Sequence, residues 1–111
     1  MKIKQFDIWL ADLSPAMGTE PGKTRPVVII QTDLLNESHL STLICPITTN
    51  VKPEIELLRV HLDSKQLGQK SDILIDQIRA IDNKRFIKQL GTLTKEQIIK
   101  LKKNIQIVLD L

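Results

Sequence analysis

Three polar clusters interrupt the apolar runs of this chain: Glu20 to Arg25, Thr48-Thr49-Asn50, and Asp76-Gln77 with Arg79. Together they hold an arginine, hydroxyls, an amide and carboxylates, a set able to grip a phosphodiester and to move protons around it. The first cluster is the most informative. Gly18, Pro21, Gly22 and Pro26 break regular structure, and Val27 to Ile30 is short and β-branched, so a polar loop delivers Arg25 to the lip of a buried strand. A guanidinium there stays protonated and offers a planar fork of donors that matches phosphate oxygens. Taken alone, the residues favour a plainer role for Arg25, an ion pair with Glu20 or Asp76, and for Thr48 an ordinary turn.

The stretch from Gly18 to Thr24 also resembles the phosphate-cradling loop of nucleotide hydrolases, but it is one residue short of G-x-x-x-x-G-K-[ST]. Such a loop must open a helix whose N-terminus faces the phosphates. Here Arg25-Pro26 leads into a strand, and nucleotide binding is rejected.

The elements that must position these clusters are those of one small domain, residues 1–111. The chain's 41% hydrophobic content suits a single core. Phe6, Trp9 and Phe86 are the only aromatic residues, which limits base stacking and argues against a binder built on aromatic platforms. The net charge of +3 permits a polyanionic partner without requiring one. Cys45 is the single cysteine and lies in an apolar run, so it reads as a buried small hydrophobe in a reducing, cytoplasmic protein. No leader and no membrane-spanning stretch is legible.

Strands are predicted at Phe6 to Leu13, Pro26 to Gln31 and Thr42 to Ile47, with Pro46 placing the end of the third near an edge or a bulge. Further strands are predicted within Ile55 to Leu62, at Ile73 to Ile75, from Gln77 to Ala80 and from Ile87 to Leu93. A polar connection through Asn36 to His39 separates the second and third, a loop covers Asp63 to Ser71, and Asp82 to Arg85 makes a turn or short helix. Thr94-Lys95-Glu96-Gln97 fits a capping box, and Ile98, Leu101, Ile105 and Val108 then fall on one helical face. The expected fold is mainly β, a small, strongly curved antiparallel sheet or barrel with a C-terminal helix packed on it.

Nearly end to end, the chain resembles the MazF/PemK family of toxins. The resemblance rests on Asp7-Ile8-Trp9, Asp12-Leu13-Ser14-Pro15, Gly18-Thr19-Glu20, Gly22-Lys23-Thr24-Arg25-Pro26-Val27-Val28, Pro46-Ile47-Thr48-Thr49 and Asp76-Gln77-Ile78-Arg79-Ala80-Ile81-Asp82. Each motif is weak by itself; their order and spacing are specific. The resemblance implies an SH3-like barrel of the CcdB/PemK type and a homodimer. It also implies a sequence-specific, ribosome-independent endoribonuclease that cleaves single-stranded RNA and is neutralised by an acidic antitoxin. It puts the catalytic pair on Arg25 and Thr48. The chain departs from the family where many members have a glycine and it has Phe6, and where some have an arginine and it has Leu74.

Metal-free cleavage needs a base for the 2′-hydroxyl, charge stabilisation on the phosphorane and help for the departing 5′-oxygen. Arg25 suits the second task, and the Thr48 hydroxyl can join it, with the amides of Thr49 and Asn50 as helpers. Glu20 and Asp76 are the candidate bases, each needing a raised pKa. Base and ribose contacts are assigned by position to Met17, Thr19, Glu20, Thr49, Asn50 and Gln77. No cofactor is expected, and no metal, because His39 and His61 lack ligand spacing to each other or to Cys45. Both histidines read as solvated, Arg79 with Asp82 as a structural pair, and Trp9 and Phe86 as packing groups. Two alternatives stand beside the nuclease: a CcdB-like gyrase poison on the same fold, and a catalytically silent homologue that binds RNA or antitoxin. The C-terminus, Ile107-Val108-Leu109-Asp110-Leu111, lacks the tryptophan through which such poisons act.

Overall fold

In a computed structural model, residues 2–14, 18–19 and 23–111 are described. Seven strands, two short 3-10 turns and two helices follow one another as β1 (Asp7–Asp12), β2 (Thr24–Ile29), α1 (Asp33–Asn36), β3 (Ser41–Thr48), β4 (Arg59–Leu62), β5 (Ser71–Leu74), η1 (Ile75–Gln77), β6 (Arg79–Asp82), η2 (Asn83–Arg85), β7 (Phe86–Thr92) and α2 (Lys95–Val108). The strands pair in the order β4-β5-β3-β2-β1-β7, with β6 also on β3. Every pairing is antiparallel.

One edge of β3 serves two partners. Ser41 to Ile44 pair with β6, and Ile47 and Thr48 pair with β5. Pro46 lies in the gap between these partners, a local edge two residues short of the strand's end. There one side of β3 has no strand to receive an N–H, and a proline is tolerated. The chain from β6 to β7 passes through the three residues of η2, so β7-β1-β2-β3-β6 form a curl bridged by the chain itself. Within the curl lie Trp9, Ala11, Leu13, Val27, Ile29, Ile44, Ile81 and Phe86. Trp9 and Phe86 meet edge to face at 5.8 Å, as packing groups should.

The opposite face carries Ile8, Val28, Cys45, Ile47, Val60, Leu62 and Ile73, and α2 covers it with Leu101, Ile98, Ile105 and Val108. All four helix positions expected from the periodicity are used, and the Thr94–Gln97 capping box is formed. The strand expected within Ile55 to Leu62 is its second half, since Ile55 N–H closes a turn on Lys52 and pairing with β5 begins at Arg59. The strand expected from Gln77 to Ala80 is displaced: Gln77 ends η1, and β6 runs over Arg79–Asp82, where β3 pairs with it. The connection after β2 contains α1, whose N-terminus is capped by Thr32, and buried Asn36 bonds Gln31.

Phe6, the residue where many family members have glycine, sits at φ 70. Its N–H donates to the Ile29 carbonyl at 2.7 Å, its carbonyl accepts from Leu93 N–H at 3.0 Å, and Lys102 lies 5.4 Å from its ring centre. The backbone conformation favours glycine while the ring is retained for packing. Phe6→Gly is thus expected to be more stable than Phe6→Ala by about 1 kcal/mol, since both lose the ring and only alanine keeps the left-handed strain. Urea unfolding of the two variants checks this, and equal midpoints would exclude the strain.

Candidate active site

Val27 pairs with Pro46 across β2 and β3. That is the last pair between the two strands, and two residues beyond it lie Arg25 on β2 and Thr48 on β3. Residues opposite one another share a face, and Val27 faces the inside of the curl, so Arg25 and Thr48 flank its mouth. Both are half-buried. The loop that precedes Arg25 has a fixed base: Lys23 N–H donates to Ser14 Oγ at 3.0 Å, Leu13 N–H to the Lys23 carbonyl at 2.8 Å, and Arg85 donates to the carbonyls of Asp12 and Ser14 at 2.9 and 2.6 Å. A strand end anchored this way holds the arginine's backbone still.

Thr48 Oγ1 accepts a hydrogen bond from Asn50 N–H at 3.1 Å. That is the turn contact its plainer reading requires, and it is compatible with a role in chemistry. The bond occupies one lone pair and leaves the hydroxyl proton to donate outward. It also commits the Asn50 amide, which therefore does not serve as the free donor anticipated for it. Thr49 and Asn50 are exposed beyond the strand end, with the Asn50 carbonyl held by Arg59 at 2.7 Å.

Asp76 and Gln77 belong to η1, which follows β5 and bridges to β6 beside the gap at Cys45 and Pro46. They lie on the side of β3 away from β2, and so are separated from Arg25 by that strand. Burial pushes the Cys45 thiol up to about 12, with the negative charge of Asp76 adding to it. The cysteine is thus an inert packing group. Thr19 is exposed in a turn after Gly18. Met17 and Glu20 lie outside the described residues. Arg79 and Asp82 do not form the expected pair: three residues apart on one strand, they point to opposite faces, and the Asp82 carboxylate caps η2 through Lys84 N–H at 2.8 Å.

The sequence reading passed over Asp72, the residue paired with Thr48 across β3 and β5. Its side chain is 1% exposed. Oδ2 accepts from Lys52 N–H and from Arg59 Nη1, both at 2.9 Å, and Oδ1 accepts from His61 Nδ1 at 2.7 Å. Burial alone would raise the carboxyl's pKa, but hydrogen bonds from Lys52, His61 and Arg59 outweigh it and hold the group below its ordinary value. His61 is therefore not simply solvated. A signal was present: an acid inside the run Ser71-Asp72-Ile73-Leu74, opposite a segment whose alternate residues Arg59 and His61 are basic. Asp7, by contrast, is buried without comparable compensation, and desolvation raises its pKa.

Residues 4–109 match the model of the PemK-like, MazF-like toxins of type II toxin-antitoxin systems. The chain belongs to this family. Endoribonuclease EndoA of Bacillus subtilis (strain 168) is 35% identical over 113 residues, a match spanning 100% of this chain and 97% of that protein. Endoribonuclease MazF of Staphylococcus epidermidis is 36% identical over 98% of this chain and 92% of its own. The MazF of Deinococcus radiodurans superposes with a TM-score of 0.85 at 19% identity, covering 100% of this chain and 99% of that one. The structure of that organism's MazE-MazF gives 0.81, also at 19% identity and with the same coverage. These last two establish the fold. As a MazF/PemK protein the chain is an endoribonuclease, which sets aside the CcdB-like gyrase poison. Among the described residues no helix is long and apolar enough to cross a membrane, and no three His, Cys, Asp or Glu side chains are grouped to hold a metal ion.

Proposed function

We propose that this MazF/PemK endoribonuclease cleaves single-stranded RNA at a short sequence without a metal, using Arg25 and Thr48, and that an acidic antitoxin silences it by covering the same groove. What supports the reading is that Arg25 and Thr48 lie on neighbouring strands, each two residues beyond the Val27–Pro46 pair and on the face turned to the inside of the curl. A phosphate seated between them meets a guanidinium fork from one strand and a hydroxyl donor from the next. In the reaction the 2′-oxygen forms a bond to phosphorus, the bond from phosphorus to the 5′-oxygen breaks, and the 2′ proton passes to a base while the leaving oxygen gains one. The products are a 2′,3′-cyclic phosphate and a 5′-hydroxyl.

Charge on the phosphorane oxygens is the part of this path that Arg25 and Thr48 stabilise. The carboxylates of Glu20 and Asp76 are the candidates for receiving the 2′ proton. Thr19, Thr49, Asn50 and Gln77, with Met17 and Glu20 on the loop, are the candidate contacts to bases and ribose. The working form is a homodimer in the cytoplasm.

The test is incubation of the protein with a mixed-sequence single-stranded RNA in EDTA, with fragment ends read by mass spectrometry. Cleavage at one short word with cyclic-phosphate and 5′-hydroxyl ends is expected. Cleavage that stops on chelation, or leaves 5′-phosphates, would refute the mechanism. Thr48→Val keeps the side chain's shape and removes its donor, and should slow single-turnover cleavage by about 100-fold while RNA binding is nearly unchanged.

A further inference from the structure

The row of cross-strand neighbours does not stop at Thr48. Thr48 pairs with Asp72 on β5, and Asp72 pairs with His61 on β4. Opposite residues share a face, so Thr48, Asp72 and His61 form one line across three strands, with Arg25 on the neighbouring strand β2. Neighbouring strands are about 4.8 Å apart, which puts the His61 backbone roughly 10 Å from that of Thr48. Beyond the line opens a cavity of about 850 Å³, with His61 and Asp72 in its wall.

The Asp72 carboxylate is ionised and can only accept, so His61 carries a proton on Nδ1 and turns Nε2 away from that bond. No described residue bonds Nε2. Lys65, Lys70 and Lys95 stand around the same cavity with Asp63, Glu96 and Asp72, and Asp72 is also paired with Arg59, which lies outside the lining. Helix α2 begins at the rim, where its capping box takes the amides of Thr94 and Gln97.

We propose that His61, fixed by Asp72, binds a backbone phosphate of the RNA, and that this cavity receives the strand on one side of the scissile bond. The inference rests on the reading of Arg25 and Thr48 as the cleavage site, with which the line of residues is continuous. With phosphate bound, the imidazole carries protons on both nitrogens, one to Asp72 and one to the phosphate oxygen. His61 then contributes to the grip on RNA and not to the chemical step.

The experiment follows the ring resonances of both histidines in the native protein while an RNA oligonucleotide, made uncleavable by a 2′-deoxy substitution at the scissile position, is added. His61 should shift, and His39, in the turn before β3 and bonded to Ser41, should not. His61→Gln should weaken binding of that RNA about tenfold, flatten the dependence of log Kd on log salt by about 0.7, and leave the single-turnover cleavage rate at saturating RNA within about twofold. An unmoved His61 ring would overturn the proposal, as would an unchanged Kd and salt slope in the variant. So would a shift produced by an acidic peptide at lower concentration than by RNA, which would give the cavity to a protein partner. If the wild-type protein cuts no RNA, the cleavage reading fails, and the resonance titration alone then decides whether His61 holds a phosphate.

Discussion

Arg25→Ala is expected to lower the single-turnover cleavage of single-stranded RNA by at least about 100-fold, and by more than any other single change on the inner face of the curl. A guanidinium facing a phosphorane acts on charge that exists only in the transition state, where one well-placed donor is worth about 10²–10³ in rate. Arg25 supplies several. Arg25→Lys keeps the charge but loses the planar fork, so it should recover only part of the rate. The fold should tolerate both, because main-chain and Ser14 contacts made by Lys23 and Leu13 hold the strand start. Single-turnover rates at saturating RNA, taken beside thermal midpoints, check this. An Arg25→Ala protein that cleaves within tenfold of wild type would remove the residue from the chemistry.

Asp72→Ala should have the largest effect on stability, a loss of about 3–5 kcal/mol at pH 7, because it leaves the nearly buried Arg59 without its counter-ion and strips the Lys52 amide and His61 of their acceptor. That is a large share of the total stability of a small domain. Asp72→Asn preserves shape and should cost less. The sign of its pH dependence follows from the direction of the shift. A carboxyl held below its ordinary value contributes stability that is fully present above the unfolded value, near 3.9, and is lost as the pH falls through the lower folded value. The gap between wild type and Asp72→Asn, read by urea unfolding, should stay constant from pH 7 to about pH 5 and close below about pH 4. A gap that widens on acidification would contradict the ionised, hydrogen-bonded state of Asp72.

The same carboxylate links stability to the cleavage site. Through Lys52 N–H directly, and through Arg59 to the Asn50 carbonyl, it pins both the turn that follows Thr48 and the strands that carry His61. Loss of Asp72 should therefore loosen the turn whose Asn50 amide fixes the Thr48 hydroxyl. In this domain the packing of β5 on β3 and the placement of a candidate catalytic donor are one set of contacts.

Local patterns in the sequence were enough for α2, whose capping box and apolar stripe are complete in themselves. They were enough, too, for β1, β7 and the turn at Asp82 to Arg85, each bounded by its own breakers. The family was legible from motifs whose order carries information that no single one does. The start of β2 and the bounds of β6 were not. Each depends on which strand lies alongside, and Pro46 is tolerated only because β5 and β6 share one edge of β3 and leave a gap there.

Arg25 and Thr48 could be singled out by type, but their coming to neighbouring strands follows from the pairing of β2 with β3. Asp72 was missed because a buried charge is favourable only when its partners are present, and those partners come from the turn at Lys52 and from two alternate positions on β4. The sequence by itself determined which residues are available for chemistry, where the terminal helix begins and which family the chain resembles. Only the tertiary structure decided which of those residues meet, since burial, pairing and the satisfaction of a buried carboxylate are set by non-local contacts that no local pattern encodes.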